Sequence, residues 1–207
     1  MITIVDYGLG NILAFVNVYK KLNIPVQVVS TSSELATAER IILPGVGSFD
    51  WAMTQLNNSG MREMLDTLVL DRGVPVIGVC VGMQMMAKRS DEGQLDGLGW
   101  IDAKVKRLDE SAFTQPTHLP HMGWNDVIPT ISHPILNGLE INARFYFLHS
   151  YYFSEANSED VLTKTEYNGL YTSSVCRNNI FGVQFHPEKS HHWGERLLKN
   201  FAEITVC

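Results

Sequence analysis

The sequence predicts a three-layer α/β/α fold with a mostly parallel central sheet and an antiparallel extension. Short apolar runs alternate with helical patterns over residues 1–89, as expected for a parallel sheet with helices on both sides. Residues 74–79 form a continuous apolar run, which is typical of a strand buried on both faces. Over residues 100–183 the pattern changes to β-type runs, and we expect these to form the antiparallel part.

The first half of the chain supplies the alternating elements. Thr31 and Glu34 have the spacing of a capping box, which marks the start of a short helix. Gly60 interrupts a helical stretch at 49–71. The other elements predicted here are strands at 2–5, 26–29, 40–43 and 74–79 and helices at 12–22 and 83–89.

The second half supplies the remaining strands and a closing helix. β-type runs lie at 103–108, 124–128, 144–152 and 171–176, a last core strand at 181–185, and the helix at 193–203. Neither a repeat nor a linker divides the chain, so we expect a single domain over residues 1–207.

The composition narrows the classes of function. The 16 basic and 22 acidic residues give a net charge of −6, and no basic cluster offers a surface for nucleic acid. The longest apolar run, at 74–86, is interrupted and too short to cross a bilayer. The first residues lack the pattern of a secretory signal, so a cytoplasmic location is expected. Cys80, Cys176 and Cys207 are an odd number, which favours reduced thiols over a disulfide framework.

One cysteine lies in a pattern typical of a nucleophile. Gly78-Val79-Cys80-Val81-Gly82 sets a thiol between two glycines where a strand meets a helix, as in a nucleophile elbow. The positive end of the helix favours the thiolate. The backbone N–H of Val81 would point at a developing oxyanion, and the loop at 44–47 offers a second donor. The alternative is a buried structural cysteine, which is the commoner fate of a lone cysteine.

A second motif supplies a base and a residue to orient it. In Gly182-Val183-Gln184-Phe185-His186-Pro187-Glu188 a strand ends at a histidine that the following proline holds extended. Glu188 can then accept a hydrogen bond from one ring nitrogen of His186, which leaves the other nitrogen to face the thiol. Cys80, His186 and Glu188 therefore fit a catalytic triad. The alternative is a loop histidine beside a solvated acid.

Together these residues resemble the class I glutamine amidotransferases, and among them the glutaminase subunits of imidazole glycerol phosphate synthases. The motifs extend from residue 6 to residue 190. They are Asp6-Tyr7-Gly8-Leu9-Gly10-Asn11, Pro44-Gly45-Val46-Gly47-Ser48-Phe49, Gly78-Val79-Cys80-Val81-Gly82-Met83-Gln84, Pro120-His121-Met122-Gly123-Trp124-Asn125, His149-Ser150-Tyr151 and Phe185-His186-Pro187-Glu188-Lys189-Ser190.

The resemblance implies hydrolysis of glutamine to glutamate and ammonia. Cys80 would attack the side-chain amide, and His186, oriented by Glu188, would protonate the departing nitrogen and later activate water. No cofactor or metal is expected. The residues implied to bind substrate or to lie by the oxyanion are Gly45, Val46, Gly47, Val81, Gln84, Ser150 and Tyr151.

The resemblance also implies a partner, a (β/α)₈ synthase subunit that forms a heterodimer with the glutaminase and receives its ammonia. Asn11, Trp124, Tyr146 and Lys189 are then expected near the docking face. The alternatives are core packing for Trp124 and Tyr146, a helix cap for Asn11 and a solvated charge for Lys189. The segment Lys189-Ser190-His191-His192-Trp193-Gly194, together with residues 78–86 and 145–152, also resembles paralogues in surface-polysaccharide gene clusters, which implies a sugar-modifying enzyme as the alternative partner.

Three other hypotheses compete with this one. His186, Glu188, His191 and His192 have side chains common among zinc ligands, but Pro187 breaks the helical spacing of a ligand pair. A dinucleotide motif is weakly indicated by Gly8-Leu9-Gly10, since its third glycine is missing. A non-catalytic adaptor would have no need of a nucleophile with its base.

Overall fold

The computed structural model describes residues 1–114, 117–154 and 156–205. The strands of these residues are β1 (Ile2–Val5), β2 (Val26–Val29), β3 (Ile41–Gly45), β4 (Val76–Cys80), β5 (Arg89–Ser90), β6 (Lys104–Arg107), β7 (His121–Asp126), β8 (Ile128–Pro129), β9 (Arg144–His149), β10 (Tyr151–Ser154), β11 (Val161–Glu166), β12 (Leu170–Arg177) and β13 (Ile180–Val183). The α-helices are α1 (Ile12–Lys21), α2 (Ser32–Leu35), α3 (Phe49–Asn58), α4 (Arg62–Asp66), α5 (Val81–Gln84) and α6 (His191–Glu203).

The central sheet combines parallel and antiparallel strands. Its order is β2-β1-β3-β4-β13-β12-β10-β6-β5, and β11 pairs with β12 and β8. The first five strands of this order run parallel, whereas β12 is antiparallel to β13 and β10 is antiparallel to β12 and β6. The predicted class, a mostly parallel sheet with an antiparallel extension, is confirmed.

The helices pack in pairs. α1 contacts α6, where the Tyr19 hydroxyl donates to the Leu198 carbonyl at 3.2 Å. Likewise, α2 contacts α4, and α3 contacts α5.

The capping box at Thr31 and Glu34 is confirmed, because each side chain accepts a hydrogen bond from the backbone of the other. Gly60 lies between α3 and α4, as predicted. Among the described residues, no helix has the length and apolar character required to span a membrane.

The helix predicted at 83–89 is wrong. α5 begins directly after Cys80 and lasts a single turn, and residues 89–90 pair with β6 as a strand. The carbonyl oxygens of Met85, Met86 and Ala87 accept hydrogen bonds of 2.7–3.1 Å from backbone N–H groups in the segment 98–101. These long-range bonds take the place of the helical ones, so tertiary pairing outweighs the local helix propensity.

Strands β7 and β9 form a small antiparallel sheet of their own. The sequence pattern predicts these residues within the antiparallel extension of the central sheet, and their position in a separate sheet corrects that prediction. Phe145 and Phe147 on the inner face are fully buried; Phe145 stacks on Phe185, and Phe147 contacts the same ring edge to face. Met122 and Trp124 on the outer face are exposed. The sheet pairs separately because one of its faces joins the core while the other faces solvent.

Glycines bring the carboxyl ends of β3 and β4 against the start of α5. A Cβ atom on Gly82 would overlap the carbonyl oxygen of Leu43, and one on Gly78 would lie 2.6 Å from the carbonyl oxygen of Gly82. The predicted need for glycine on both sides of Cys80 is thereby confirmed. Gly45 lies opposite Cys80 in the register, so the end of β3 is fixed beside the thiol.

Candidate active site

Cys80 is the last residue of β4, directly before α5. Its backbone has φ 56° and ψ −112°, a conformation that a non-glycine residue rarely adopts. The side chain is almost fully buried, and its Sγ atom lies 4.0 Å from the Leu148 carbonyl oxygen and 3.7 Å from Gln184 Nε2. This geometry is that of a nucleophile elbow, with sulfur at its tip.

His186 and Glu188 follow β13, and the His186 side chain lines the same cleft as Cys80. The His186 backbone is extended and its N–H donates to the Tyr146 carbonyl at 2.8 Å. Its Nδ1 atom lies 2.9 Å from Glu188 Oε1, and the side chain of Glu188 is 1% exposed. Burial alone would lower the pKa of His186, but hydrogen bonds to Cys80 and Glu188 and the negative charges of both groups raise it to about 10. The ring is therefore held as an imidazolium when the sulfur is ionised.

Cys80 and His186 line a cleft of about 290 Å³, close to the size of a small-ligand site. Its lining consists of Val46, Gly47, Cys80, Val81, Gln84, Glu92, Pro120, Leu148, His149, Ser150, Tyr151, His186 and Lys189. All the residues predicted to contact substrate line the cleft except Gly45. That glycine lies behind the cleft in β3, where a Cβ atom would overlap the Gly82 nitrogen.

Two residues of the site have no assigned role in the sequence analysis. Gln184 is fully buried and contacts both Cys80 and Gln84. Glu92 lines the cleft and accepts a 2.8 Å hydrogen bond from the Phe49 N–H. The sequence does point to Gln184, because it lies two residues before His186 and alternate residues of an extended segment share a face. The sequence around Glu92 carries no comparable signal.

Of the residues expected at a docking face, Lys189 lines the cleft, and Tyr146 and Trp124 adjoin it. Lys189 Nζ is 5.9 Å from the centre of the Tyr146 ring, which contacts Trp124 edge to face. Trp124 is 39% exposed and stacks on His191, so core packing does not account for it. Asn11 is exposed before α1, and its side chain makes no capping hydrogen bond.

The second cysteine among the described residues does not line the cleft. Cys176 is half-buried on β12, with Sγ 3.8 Å from His133 Nε2, and burial raises its pKa to about 12. Such a thiol is a poor nucleophile at neutral pH. Cys207 lies outside the described residues. Among the residues described, no group of three or more histidine, cysteine, aspartate or glutamate side chains could hold a metal ion.

A chain of hydrogen-bonded polar side chains, buried except for the half-buried Asn125, reaches the cleft from β7. Asn125 Nδ2 faces His121 Nε2 at 3.2 Å, His121 Nδ1 is 2.9 Å from the Tyr171 hydroxyl, and that hydroxyl is 3.0 Å from His149 Nε2. His149 Nδ1 lies 2.8 Å from the Tyr151 carbonyl oxygen. Since that oxygen can only accept, His149 carries its proton on Nδ1. The Tyr171 hydroxyl then donates to His149 and accepts from His121.

These two histidines are expected to make the protein sensitive to acid. Burial lowers the pKa of His121 to about 4, and burial with the nearby charge of His121 lowers that of His149 to about 3. Both lie below the value of about 6.5 in the unfolded chain, so below pH 6.5 the unfolded state binds more protons. The free energy of unfolding should therefore fall by about 3 kcal/mol per buried histidine from pH 6.5 to pH 4.

Urea denaturation across this pH range would measure the effect. The variant His121→Gln should lose less stability on acidification than the wild type, and the exposed His192→Gln should match the wild type. An equal loss in wild type and His121→Gln would contradict the prediction.

The fold and the cleft define a class of enzyme. The family model "Glutamine amidotransferase class-I" matches residues 3–204. A solved structure described as glutamine amidotransferase superposes with a TM-score of 0.75 at 18% identity, covering 98% of this chain and 99% of that one, which supports the fold alone. The chain belongs to the class I glutamine amidotransferases.

Similarity to curated proteins narrows the type of amidotransferase. The chain is 55% identical over 204 residues to the imidazole glycerol phosphate synthase subunit HisH of Bdellovibrio bacteriovorus, covering 99% of this chain and 100% of that protein. It is 50% identical, with the same coverage, to the HisH subunit of Leptospira interrogans. Within the family it groups with these HisH subunits, and the resemblance noted from the motifs is confirmed.

Proposed function

We propose that the chain hydrolyses the side-chain amide of glutamine, with Cys80 as nucleophile, His186 as acid and base, and Glu188 as the group that orients the imidazole. The single observation that carries this proposal is that Cys80 and His186 line one cleft while His186 Nδ1 lies 2.9 Å from the buried carboxylate of Glu188. We expect residues 1–207 to act as one domain.

The reaction has two halves. The Cys80 thiolate adds to the amide carbon, and the C–N bond of the tetrahedral intermediate breaks as the imidazolium of His186 gives its proton to nitrogen. Ammonia leaves, and a glutamyl thioester remains. Neutral His186 then takes a proton from water, whose oxygen adds to the thioester carbon. Collapse of this second intermediate breaks the C–S bond and releases glutamate and the thiolate.

The backbone around Cys80 is suited to stabilise the oxyanion. The N–H of Val81 is the first of α5, and such first-turn groups point out of the helix. Val46 and Gly47 line the same cleft after the end of β3. Their N–H groups are the proposed second source of hydrogen bonds to the developing negative charge.

The opposite part of the cleft is suited to bind the rest of glutamine. We assign Gln84, Ser150 and Tyr151 to the substrate, as all three line the cleft. Glu92 adds a carboxylate to this lining. We propose that it binds the α-ammonium group of glutamine, because opposite charges attract strongly in a partly enclosed site. Its hydrogen bond to the Phe49 N–H fixes the carboxylate in place.

The proposed partner is the (β/α)₈ cyclase subunit of an imidazole glycerol phosphate synthase, as the name of the HisH relatives suggests. In this proposal the two subunits form a heterodimer, and ammonia passes to the cyclase for histidine biosynthesis. The exposed apolar residues Met122, Trp124 and Leu148 beside the cleft mouth support docking there, because adjoining exposed apolar residues often mark protein interfaces.

The partner can be tested directly. Glutamate release from glutamine would be measured for the chain alone and with the cyclase subunit from the same organism. We expect the partner to raise the rate at least about tenfold. The heterodimer would be contradicted if the cyclase subunit left the rate of glutamate release unchanged and no complex copurified. Copurification with a sugar-modifying enzyme would instead favour the second partner.

A further inference from the structure

We propose that Gln184 is a positioning residue for Cys80, and that its side-chain N–H holds the sulfur anion for attack. The inference rests on the proposed role of Cys80 as nucleophile. Gln184 follows β13, and its backbone N–H donates to the Ser173 carbonyl at 2.9 Å. Its side chain is fully buried and points to the sulfur.

The hydrogen-bond partners fix which end of the Gln184 amide faces Cys80. Gln84 Nε2 lies 3.1 Å from the Tyr151 carbonyl oxygen and 3.1 Å from Gln184 Oε1. The backbone carbonyl can only accept, so the Gln84 nitrogen is the donor there. Gln184 must then present its oxygen to Gln84. Its nitrogen consequently faces Cys80 Sγ at 3.7 Å.

The two polar neighbours of the sulfur favour different protonation states. The Leu148 carbonyl oxygen, at 4.0 Å from Sγ, can accept from a thiol but repels a thiolate. The Gln184 N–H can donate to a thiolate, and a hydrogen bond to the charged form favours that form. Because the Gln184 amide is anchored to Gln84, it also restrains the position of the sulfur. Gln184 therefore links the nucleophile to a residue assigned to the substrate.

The test is the pH dependence of Cys80 alkylation by iodoacetamide, followed by intact mass. In this reaction the thiolate sulfur bonds to the methylene carbon and iodide leaves, so the rate follows the thiolate population. The variant Gln184→Met has a similar size and lacks the donor. We expect the midpoint of its rate profile to move up by about one pH unit and its rate at pH 7 to fall roughly tenfold.

Two further variants separate positioning from general destabilisation. Gln184→Glu keeps an oxygen for Gln84 but sets a negative charge beside the sulfur, so its midpoint should rise at least as far. Ser173→Ala removes a buried hydroxyl on the neighbouring strand that bonds Thr163 and does not contact Cys80, and its midpoint should equal that of the wild type. Thermal melting would establish that each variant is folded.

Three outcomes would count against these claims, and they bear on different ones. A wild-type midpoint in folded Gln184→Met or folded Gln184→Glu would remove the positioning role while leaving the proposed reaction intact. Full glutamate release by Cys80→Ala would remove the proposed reaction itself. A shift in Ser173→Ala as large as that in Gln184→Met would also count against Gln184, since it would show that any local loosening moves the profile.

Discussion

Replacement of Cys80 by alanine is expected to lower glutamate release from glutamine by about four orders of magnitude or more. The variant has no atom that can form the thioester, and removal of a catalytic nucleophile typically has an effect of this size or larger. The side chain is almost fully buried and the Gly78 and Gly82 contacts are unaffected, so the fold should remain. Release would be measured by coupled glutamate assay with the cyclase subunit present.

Cys176 offers a matched control. It is the other cysteine among the described residues, and its thiol contacts His133 and Asn178 instead of the cleft. Cys176→Ala should keep its activity, and a glutamine-like electrophile such as a diazo ketone should add mass to this variant but not to Cys80→Ala. Sustained glutamate release by Cys80→Ala, or labelling that requires Cys176, would contradict the assignment.

Replacement of His186 by asparagine is expected to lower glutamate release about a thousandfold or more. Asparagine cannot exchange a proton with the leaving nitrogen or with water, and general acid–base catalysis alone contributes about 10² to 10⁴. The variant also removes the positive charge that accompanies the sulfur anion. The hydrogen bonds and charges that raise the pKa of His186 to about 10 keep that charge in place below this pH.

The pH profile of Cys80 alkylation gives this variant a second readout. Without the imidazolium, the midpoint of the alkylation profile should move to higher pH, because a positive neighbour favours the thiolate. The exposed His192, which contacts Trp193, provides the control, and His192→Asn should leave both measurements unchanged. An unchanged alkylation profile together with full turnover in His186→Asn would contradict the proposed role.

The sequence predicted the features that depend on short-range patterns. Thr31 and Glu34 gave the start of α2 because a capping box is complete within four residues. The apolar run at 74–79 identified the central strand β4, since burial on both faces leaves a local signature. The glycines around Cys80 indicated an elbow because only a close backbone approach requires them.

Features that depend on distant segments could not be predicted in this way. The end of α5 at Gln84 is set by hydrogen bonds from residues 98–101 to the next carbonyl oxygens. Glu92 reaches the cleft because the Phe49 N–H holds its carboxylate, and no local pattern links those two residues. The separate pairing of β7 with β9 likewise depends on which face meets the core, and period-two alternation does not specify a partner strand.

The backbone conformation of Cys80 lowers the stability of the fold while it orients the thiol for reaction. A left-handed conformation in a non-glycine residue costs about 1–3 kcal/mol, and the φ of 56° at this position incurs that cost in every folded molecule. The surrounding packing must offset it, which the close contacts among β3, β4 and α5 are able to do. Substitutions that loosen those contacts would thus let the turn relax, and the thiol would lose its orientation before the protein lost its fold.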